Sequence, residues 1–173
     1  EKESLGLYLS SHPLSSYKEK IDQLSTVSSI ELSELPEGDD VIIGGMLTGV
    51  IHSTTKRGDP MVKITLEDMH GTVECVAFGR DIKTYQSLLN IEEVVFVKGQ
   101  MGFQNSAPSI RIKEIVRVND ALRRLTKCVT LQLDANQYDE TKLAQLREII
   151  RKHSGTCPLF FEIALPNQEH VYV

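Results

Sequence analysis

Residues 54–58 of this 173-residue chain bring together the side chains best suited to chemistry: two threonines, a lysine, an arginine and a glycine. Lys56 and Arg57 supply positive charge, Thr55 supplies a hydroxyl, and Gly58 lets a ligand approach the backbone closely. Cations combined with small hydroxyl donors are typical of contacts to nucleic-acid phosphates. The segment therefore indicates a phosphate-contacting loop, although a solvated hairpin tip would have the same composition.

No arrangement typical of an enzyme active site occurs in the sequence. A nucleophile elbow, a glycine-rich phosphate loop and an HExxH motif are absent, and the five histidines never fall at ligand spacing. Adjacent acids such as Glu67 and Asp68 are better explained as turn or edge charges, because neighbouring side chains of a strand point to opposite faces. We therefore expect no catalytic residue, no metal site and no cofactor in this chain.

The composition, with 40% hydrophobic and 25% charged residues, is that of a globular protein. No apolar run approaches the roughly 20 residues that span a bilayer, and no signal peptide is visible, so we expect a cytoplasmic protein. Cys75, Cys128 and Cys157 are odd in number and far apart, which favours buried reduced thiols. The start at Glu1 and the apolar final residues suggest a piece of a longer chain.

Charge is unevenly distributed along the sequence. Residues 1–40 hold 3 basic and 9 acidic side chains, residues 41–118 hold 9 and 8, and residues 119–173 hold 7 and 7. The acidic excess therefore lies in the first segment. The middle segment carries further cations that could join the loop on one surface if the fold gathers them: Lys63, Arg111 and Lys113.

Alternating apolar residues on either side of a short turn predict a β-hairpin at residues 62–78. Its apolar face collects Val62, Ile64, Leu66, Val73, Cys75 and Ala77. Its other face is mixed and mostly polar, with Met61, Lys63, Thr65, Glu67, Glu74, Val76 and Phe78. A period of two with one apolar face is typical of a half-buried hairpin. The mixed face is the surface that a small barrel presents to a ligand.

The middle segment predicts five strands in all. Besides the two arms of the hairpin, strand-like runs cover residues 41–52, 94–101 and 108–118, and residues 102–106 form a polar tip between the last two. Glycines at positions 44, 45 and 49 of the first run indicate a bulge or a sharp coil, which helps a small barrel to close.

A helix is predicted between the third and fourth strands. Ile82, Tyr85, Leu88 and Leu89 recur within residues 80–89 as on an amphipathic helix of three turns. Three strands, a helix and two more strands is the order of the OB-fold, a five-stranded Greek-key barrel. Such barrels bind oligonucleotides on strands two and three and on the loops after strands one and four. The sequence therefore predicts an OB-fold nucleic-acid-binding domain at residues 41–118.

The sequence patterns on either side of the barrel predict smaller elements. The predicted fold class is therefore mainly β with an α+β appendage. Residues 1–40 form a helical or irregular linker, with weak helical patterns at residues 5–9 and 17–24 interrupted by Pro13 and a serine-rich stretch. Residues 119–173 predict a truncated β-α-β module: strands at residues 129–133 and 159–165, and a helix at residues 138–153. Because about 45 residues bury little surface, the module should lean on the barrel, a partner or missing chain.

Exposed aromatic residues are few on the presumed binding face, where we expect only Phe78 and Phe103. Proteins that bind single strands gain about 1–3 kcal/mol for each base stacked on an aromatic side chain. Glu74, set centrally, would also repel phosphates. The sequence therefore predicts weak, salt-sensitive contact without sequence preference.

Segments at residues 1–17 (EKESLGLYLSSHPLSSY), 55–59 (TKRGD), 65–68 (TLED) and 71–74 (GTVE) carry a family resemblance. They resemble the C-terminal part of the alpha catalytic subunit of bacterial DNA polymerase III, with good specificity to about Val118 and more loosely beyond. In that family the OB domain lies near single-stranded template DNA, and the region after it helps to engage the clamp-loader tau subunit.

The resemblance implies that Lys56 and Arg57 belong to a basic loop assigned to DNA contact, although Pro60 replaces a residue that is often basic. It implies a non-catalytic fragment of a DNA-directed DNA polymerase, a nucleotidyltransferase, because the catalytic aspartates belong to a palm domain far upstream. The implied partners are single-stranded DNA, tau and other replicase subunits. The candidate nucleic-acid-binding residues are Thr55, Lys56, Arg57, Lys63, Phe78, Phe103, Arg111 and Lys113.

Two other functions are compatible with the sequence. The anticodon-binding OB domain of a class II aminoacyl-tRNA synthetase shares the strand-turn-strand signature, but it usually has an aromatic residue where Lys63 stands. A protein-interaction scaffold would use the barrel and the β-α-β module to bind partners other than nucleic acid. Binding to single-stranded DNA across a salt series separates these possibilities from the first.

Overall fold

The structure is a computed structural model and describes residues 13–79, 82–134, 139–164 and 170–172. It separates into two units, residues 1–124 and 125–173, so that residues 13–40 belong to the same unit as the strands that follow them. The predicted domain boundaries after residues 40 and 118 stay a prediction. The helical pattern predicted at residues 5–9 lies outside the described residues. Among the described residues, none of the helices has the length and apolar composition of a membrane-spanning segment.

Five strands of the first unit close into a barrel in the order β1-β2-β3-β5-β4. Their bounds are β1 Asp40–Thr54, β2 Pro60–Glu67, β3 Thr72–Phe78, β4 Val94–Gln104 and β5 Ala107–Arg117. Neighbouring strands are antiparallel except β3 and β5, which run parallel. This strand order, with helical turns between β3 and β4, is that of an OB-fold, so the predicted fold class is confirmed.

The predicted apolar face of the β2–β3 hairpin lines the barrel core. All of its members are buried: Val62, Ile64, Leu66, Val73, Cys75 and Ala77. This burial raises the pKa of the Cys75 thiol. On the other face the side chains are partly exposed, with one exception. Val76 is buried, contrary to the mixed surface predicted for it, because Lys63 of β2 and Arg111 of β5 flank it.

Strand β1 closes the barrel because it pairs with β4 through its first half and with β2 through its second half. Its register with β2 shifts between Leu47 and Gly49, which is the irregularity that the glycines of the strand predicted. Gly45 is needed for close approach, since a Cβ atom there would lie 2.5 Å from the carbonyl oxygen of Glu67.

The connection between β4 and β5 is tighter than predicted. Pairing continues to Gln104 and Ala107, so residues 102–104 of the predicted polar tip belong to the strand. The turn consists of Asn105 and Ser106, whose φ angles are 51° and 66°. Two successive positive φ angles are those of a type I′ turn, which matches the right-handed twist of the strands and extends the hairpin.

The helix predicted at residues 80–89 is shorter and tighter in the structure. One α-helical turn, α2 (Ile82–Tyr85), is followed by a 3₁₀ turn (Gln86–Leu88). Ile82, Tyr85 and Leu88 still pack against the core. Their spacing of three residues suits the three residues per turn of a 3₁₀-helix, which explains the difference.

Residues 13–35, which we call the leader, pack on the barrel. They form a 3₁₀ turn (Pro13–Tyr17), helix α1 (Lys18–Leu24) and a second 3₁₀ turn (Glu31–Glu34). The Thr26 N–H donates to the Ile42 carbonyl at 2.8 Å, and the Ile42 N–H donates to Thr26 Oγ1 at 2.9 Å. The leader therefore binds the half of β1 that β2 leaves unpaired.

A buried carboxylate, Asp68, fastens the leader to the β2–β3 turn. Its oxygens accept from the N–H and Oγ of Ser29, both at 2.7 Å, and from the N–H groups of His70 and Gly71, both at 2.8 Å. Burial disfavours the ionised form, but these hydrogen bonds outweigh it and lower the pKa of Asp68.

The second unit contains a small three-stranded sheet in the order β6-β7-β8. A short helix, α3 (Ala121–Leu125), precedes β6 (Val129–Asp134), α4 (Glu140–Lys152), β7 (Leu159–Ala164) and β8 (His170–Tyr172). Strands β6 and β7 are parallel, and β8 is antiparallel to β7. Asp139 caps the N-terminus of α4, because its side chain accepts from the Lys142 N–H at 2.8 Å. The predicted β-α-β module is confirmed, and β8 adds a third strand to it. Residues 138 and 165, at its predicted ends, lie outside the described residues.

Apolar side chains of the second unit are incompletely covered. Leu143 and Ile149 of α4 are exposed, and so is Phe160 of β7. Cys128 and Cys157 are exposed free thiols, so the prediction that all three cysteines are buried is wrong for these two. A sheet of this size covers little of the chain that leads into its strands, which is where both thiols lie.

Candidate nucleic-acid interface

The outward side chains of β2, of β3 and of the part of β5 that pairs with β3 (residues 109–111) form a continuous surface, which we call the outer face. Strand register aligns Lys63 of β2 with Val76 of β3, and Val76 with Arg111 of β5. Paired residues of neighbouring strands project to the same side, so Lys63 and Arg111 lie on one face, two strand spacings or about 10 Å apart. Two of the cations predicted to converge therefore share a surface.

Lys63 is neutralised within this face. Its Nζ lies 3.1 Å from Oε1 of Glu74, and the two side chains are 24% and 41% exposed. Gln104 joins the pair when its amide oxygen accepts from Lys63 Nζ and its nitrogen donates to Glu74, both at 2.5 Å. Sequence reasoning placed Glu74 centrally but missed both contacts, because Glu74 is diagonal to Lys63 and Gln104 is distant in sequence.

Arg111 lies against the aromatic residue of the face. Its guanidinium carbon is 5.8 Å from the centroid of the Phe78 ring, within the range of a cation–π interaction. Phe78 is 40% exposed. It pairs with Met61 at the open end of the β2–β3 hairpin, opposite the turn. A flat ring beside a guanidinium plane offers stacking surface for a base and positive charge for a phosphate.

The loop between β1 and β2, residues 55–59, leaves the barrel at this same open end. Thr55 Oγ1 accepts from the N–H groups of Arg57 and Asp59, and the Thr55 N–H donates to the Asp59 carbonyl at 2.8 Å. Gly58 has a φ of 85°, which closes the turn. The Thr55 hydroxyl thus stabilises the loop by accepting hydrogen bonds from the backbone of the loop itself.

Lys56 and Arg57 are the exposed cations that this loop presents. Within the described residues neither side chain makes a hydrogen bond or an ion pair with the protein, so both charges are available to a ligand. A short, internally bonded loop holds them beside the Met61–Phe78 end of the outer face. The loop cations therefore lie next to the strand cations of the outer face, as we predicted from the sequence.

Lys113 is directed elsewhere. Its Nζ lies 2.5 Å from Oδ1 of Asp40 at the start of β1, and this hydrogen bond lowers the pKa of Asp40. The pairing of β4 with β5 shifts between Lys98 and Gly99, which leaves Lys113 as the extra residue of a bulge. Its charge is compensated on the β1–β4 side, away from β2 and β3.

Phe103 is not part of the outer face either. It is exposed on β4 beside Pro108, and alternation places it on the same side of the strand as the buried Met101. Its neighbour Gln104 is the one that reaches Lys63 and Glu74. Ile51 of β1 was missed by sequence reasoning, although it is exposed and pairs with Lys63 on the outer face. The bulge after Leu47 reverses the alternation there and hides this signal.

Comparison with known proteins agrees with the strand order. A family described as "OB-fold nucleic acid binding domain" matches residues 46–118. DNA polymerase III subunit alpha of Pseudomonas fluorescens is 30% identical over 169 residues, and that of Escherichia coli strain K12 is 28% identical over 165 residues. These alignments cover 96% and 92% of the chain. The chain is homologous to a segment of the DNA polymerase III alpha subunit. It spans 14% of the length of these relatives.

Solved structures that align with about half of this chain have little sequence in common with it. The SSB domain of a Synechococcus sp. protein is 8% identical, with a TM-score of 0.43 over 48% of this chain and 99% of that domain. The single-stranded DNA binding protein of Thermus aquaticus is 21% identical, with a TM-score of 0.41 over 46% of this chain and 39% of that one. The OB-fold assignment rests on the strand order described above and on the family match.

Proposed function

We propose that this chain is a non-catalytic, nucleic-acid-binding part of a replicative DNA polymerase alpha subunit, and that its barrel contacts single-stranded DNA weakly and without sequence preference. One observation carries the proposal: the free cations of the β1–β2 loop emerge beside the Arg111–Phe78 end of the outer face. Homology to polymerase alpha subunits over most of the chain supports this origin over the synthetase alternative.

The arrangement supports guidance of a strand more than tight capture. Lys56, Arg57 and Arg111 can each meet a phosphate, whereas the charges of Lys63 and Lys113 are compensated by acids. Phe78 offers one stacking surface, and OB-folds that bind tightly use several. With few phosphate contacts, affinity should fall with salt at a slope of about 0.7 per contact for a single strand.

Changing Lys56 and Arg57 together to alanine tests the function. Fluorescence anisotropy of a labelled oligothymidine should show weaker binding and a salt slope reduced by about 1.4, since two phosphate contacts are lost. The control variant K83A/K98A removes two exposed lysines outside the loop and outer face and should leave the slope unchanged. Thermal stability should be unaffected in both variants.

Several outcomes would contradict the proposal. Equal slopes for K56A/R57A and the unaltered chain would remove the loop from the interface. No binding at low salt would favour a protein-interaction scaffold, and selective binding of one tRNA would favour the synthetase alternative.

We further propose that the second unit contributes to docking of the clamp-loader tau subunit and that the protein acts in the cytoplasm with other replicase subunits. The family resemblance is the support for these partners. Calorimetric titration of purified tau into the 173-residue chain tests the docking, and absence of a binding heat would contradict it.

A further inference from the structure

Glu74 occupies the position on the outer face where a bound phosphate would have most cations within reach. It lies two residues from Val76, which separates Lys63 from Arg111, so Glu74 is diagonal to both cations. Diagonal neighbours in a sheet have Cα atoms about 7–8 Å apart, within reach of long side chains. A carboxylate at this place meets the same positive groups that a phosphate would need.

The contact with Lys63 is well formed. Glu74 Oε1 accepts from Lys63 Nζ at 3.1 Å, and the Gln104 amide bridges the two side chains in the orientation that turns its oxygen to Lys63 and its nitrogen to Glu74. Lys63 is 24% exposed and Glu74 is 41% exposed, so Glu74 is the more accessible of the two side chains. A phosphate that approaches this part of the face therefore meets a negative charge first.

We propose that Glu74 is an internal competitor for phosphate that sets the affinity of the outer face for single-stranded DNA. This inference rests on the proposed function and identifies the residue that regulates it. The carboxylate takes up the charge of Lys63 and repels a phosphate near Arg111. Binding then depends on the loop and on Arg111, and the strand is released readily.

Replacing Glu74 by glutamine tests the inference, because the amide has nearly the same shape without the charge. Glu74→Gln should lower the dissociation constant for a labelled oligothymidine about tenfold at low salt, a change of about 1.4 kcal/mol. The salt slope should become steeper by about 0.7, since Lys63 gains a phosphate contact.

A matched control removes the same charge elsewhere on the barrel. Glu114 of β5 is half-buried like Glu74 and pairs with Arg124 outside the outer face. Glu114→Gln alters net charge equally and should change the dissociation constant by less than twofold. Equal gains in the two variants would overturn the inference, because the effect would then be one of net charge.

Lys63→Ala in both backgrounds provides a second readout. The loss of salt slope that it causes should be larger by about 0.7 in the Glu74→Gln background than in the unaltered chain. Equal losses in the two backgrounds would overturn the inference.

The proposed function and this inference fail in different ways. If the unaltered chain binds DNA and K56A/R57A weakens binding while Glu74→Gln changes nothing, only the role of Glu74 is overturned. If neither the unaltered chain nor any variant binds DNA at low salt, both the proposed function and the role of Glu74 are overturned.

Discussion

Asp68 shows how one residue controls the position of a whole segment. Its side chain is buried at the β2–β3 turn, where it accepts from Ser29 of the leader and from the turn backbone. The same carboxylate therefore closes the turn and attaches the leader. Removing it leaves several donors without an acceptor in a partly buried place, which is costly.

Asp68→Ala should reduce the free energy of unfolding by about 3 kcal/mol, the range expected when a hydrogen-bonded buried charge is removed. Urea denaturation followed by circular dichroism measures this. Asp59→Ala is the matched control, because the Asp59 side chain is exposed in the β1–β2 loop, and it should cost less than about 0.5 kcal/mol.

The free energy of unfolding should also depend on pH in the acidic range through Asp68. Its pKa is lower in the folded state than in the unfolded state, so its contribution is fully present above an unfolded-state pKa of about 3.9 and is lost as pH falls through the folded value. Asp68→Asn should flatten the fall of unfolding free energy below about pH 4. An unchanged acid limb in Asp68→Asn would show that Asp68 is not the group responsible.

At the same scale, the sequence predicted which side chains face the core and which loop carries free charge. The alternation of β2 and β3 and the composition of residues 55–59 were sufficient for that. The partners of Lys63 and Lys113 were not predicted. Glu74 belongs to the same hairpin as Lys63, but alternation does not give the register that makes the two residues diagonal. Gln104 and Asp40 become neighbours of these lysines only through barrel closure. For Lys113, the bulge in β5 changes the direction of the side chain as well.

At the scale of elements, the β4–β5 hairpin is held by a turn with an unfavourable residue. Ser106 has a φ of 66°, a conformation that costs little only for glycine and is tolerated by asparagine. Ser106→Gly gives the Asn-Gly pair that type I′ turns prefer and should stabilise the chain by about 0.5–1 kcal/mol. Thermal denaturation measures this, and a lower melting temperature would contradict the turn assignment.

Element bounds show what local pattern can and cannot give. Apolar spacing located the segment between β3 and β4, but spacing of three residues fits an α-helix and a 3₁₀-helix, and packing on the barrel selects a mixture. The polar composition of residues 102–106 indicated a long tip, whereas backbone pairing extends to Gln104 and Ala107. Hydrogen bonding across strands decides such bounds, and composition does not report it.

At the scale of the first unit, opposite charges occupy opposite ends of β2. The leader, which holds 2 basic and 4 acidic side chains, is attached at Asp68, just beyond Glu67, whereas the basic loop joins the strand at Pro60. Eight residues of strand separate them by about 23 Å, well beyond the Debye length of about 8 Å at physiological salt. A net charge of −5 is therefore compatible with a surface that attracts DNA locally.

An NMR titration of the isotope-labelled chain with oligothymidine tests most directly whether the loop and the outer face are the DNA-binding surface. Amide shifts should concentrate at Lys56, Arg57, Phe78 and Arg111 and should be absent from the leader and from α4. Shifts that map to the leader or to the second unit, with the loop and outer face unmoved, would contradict it.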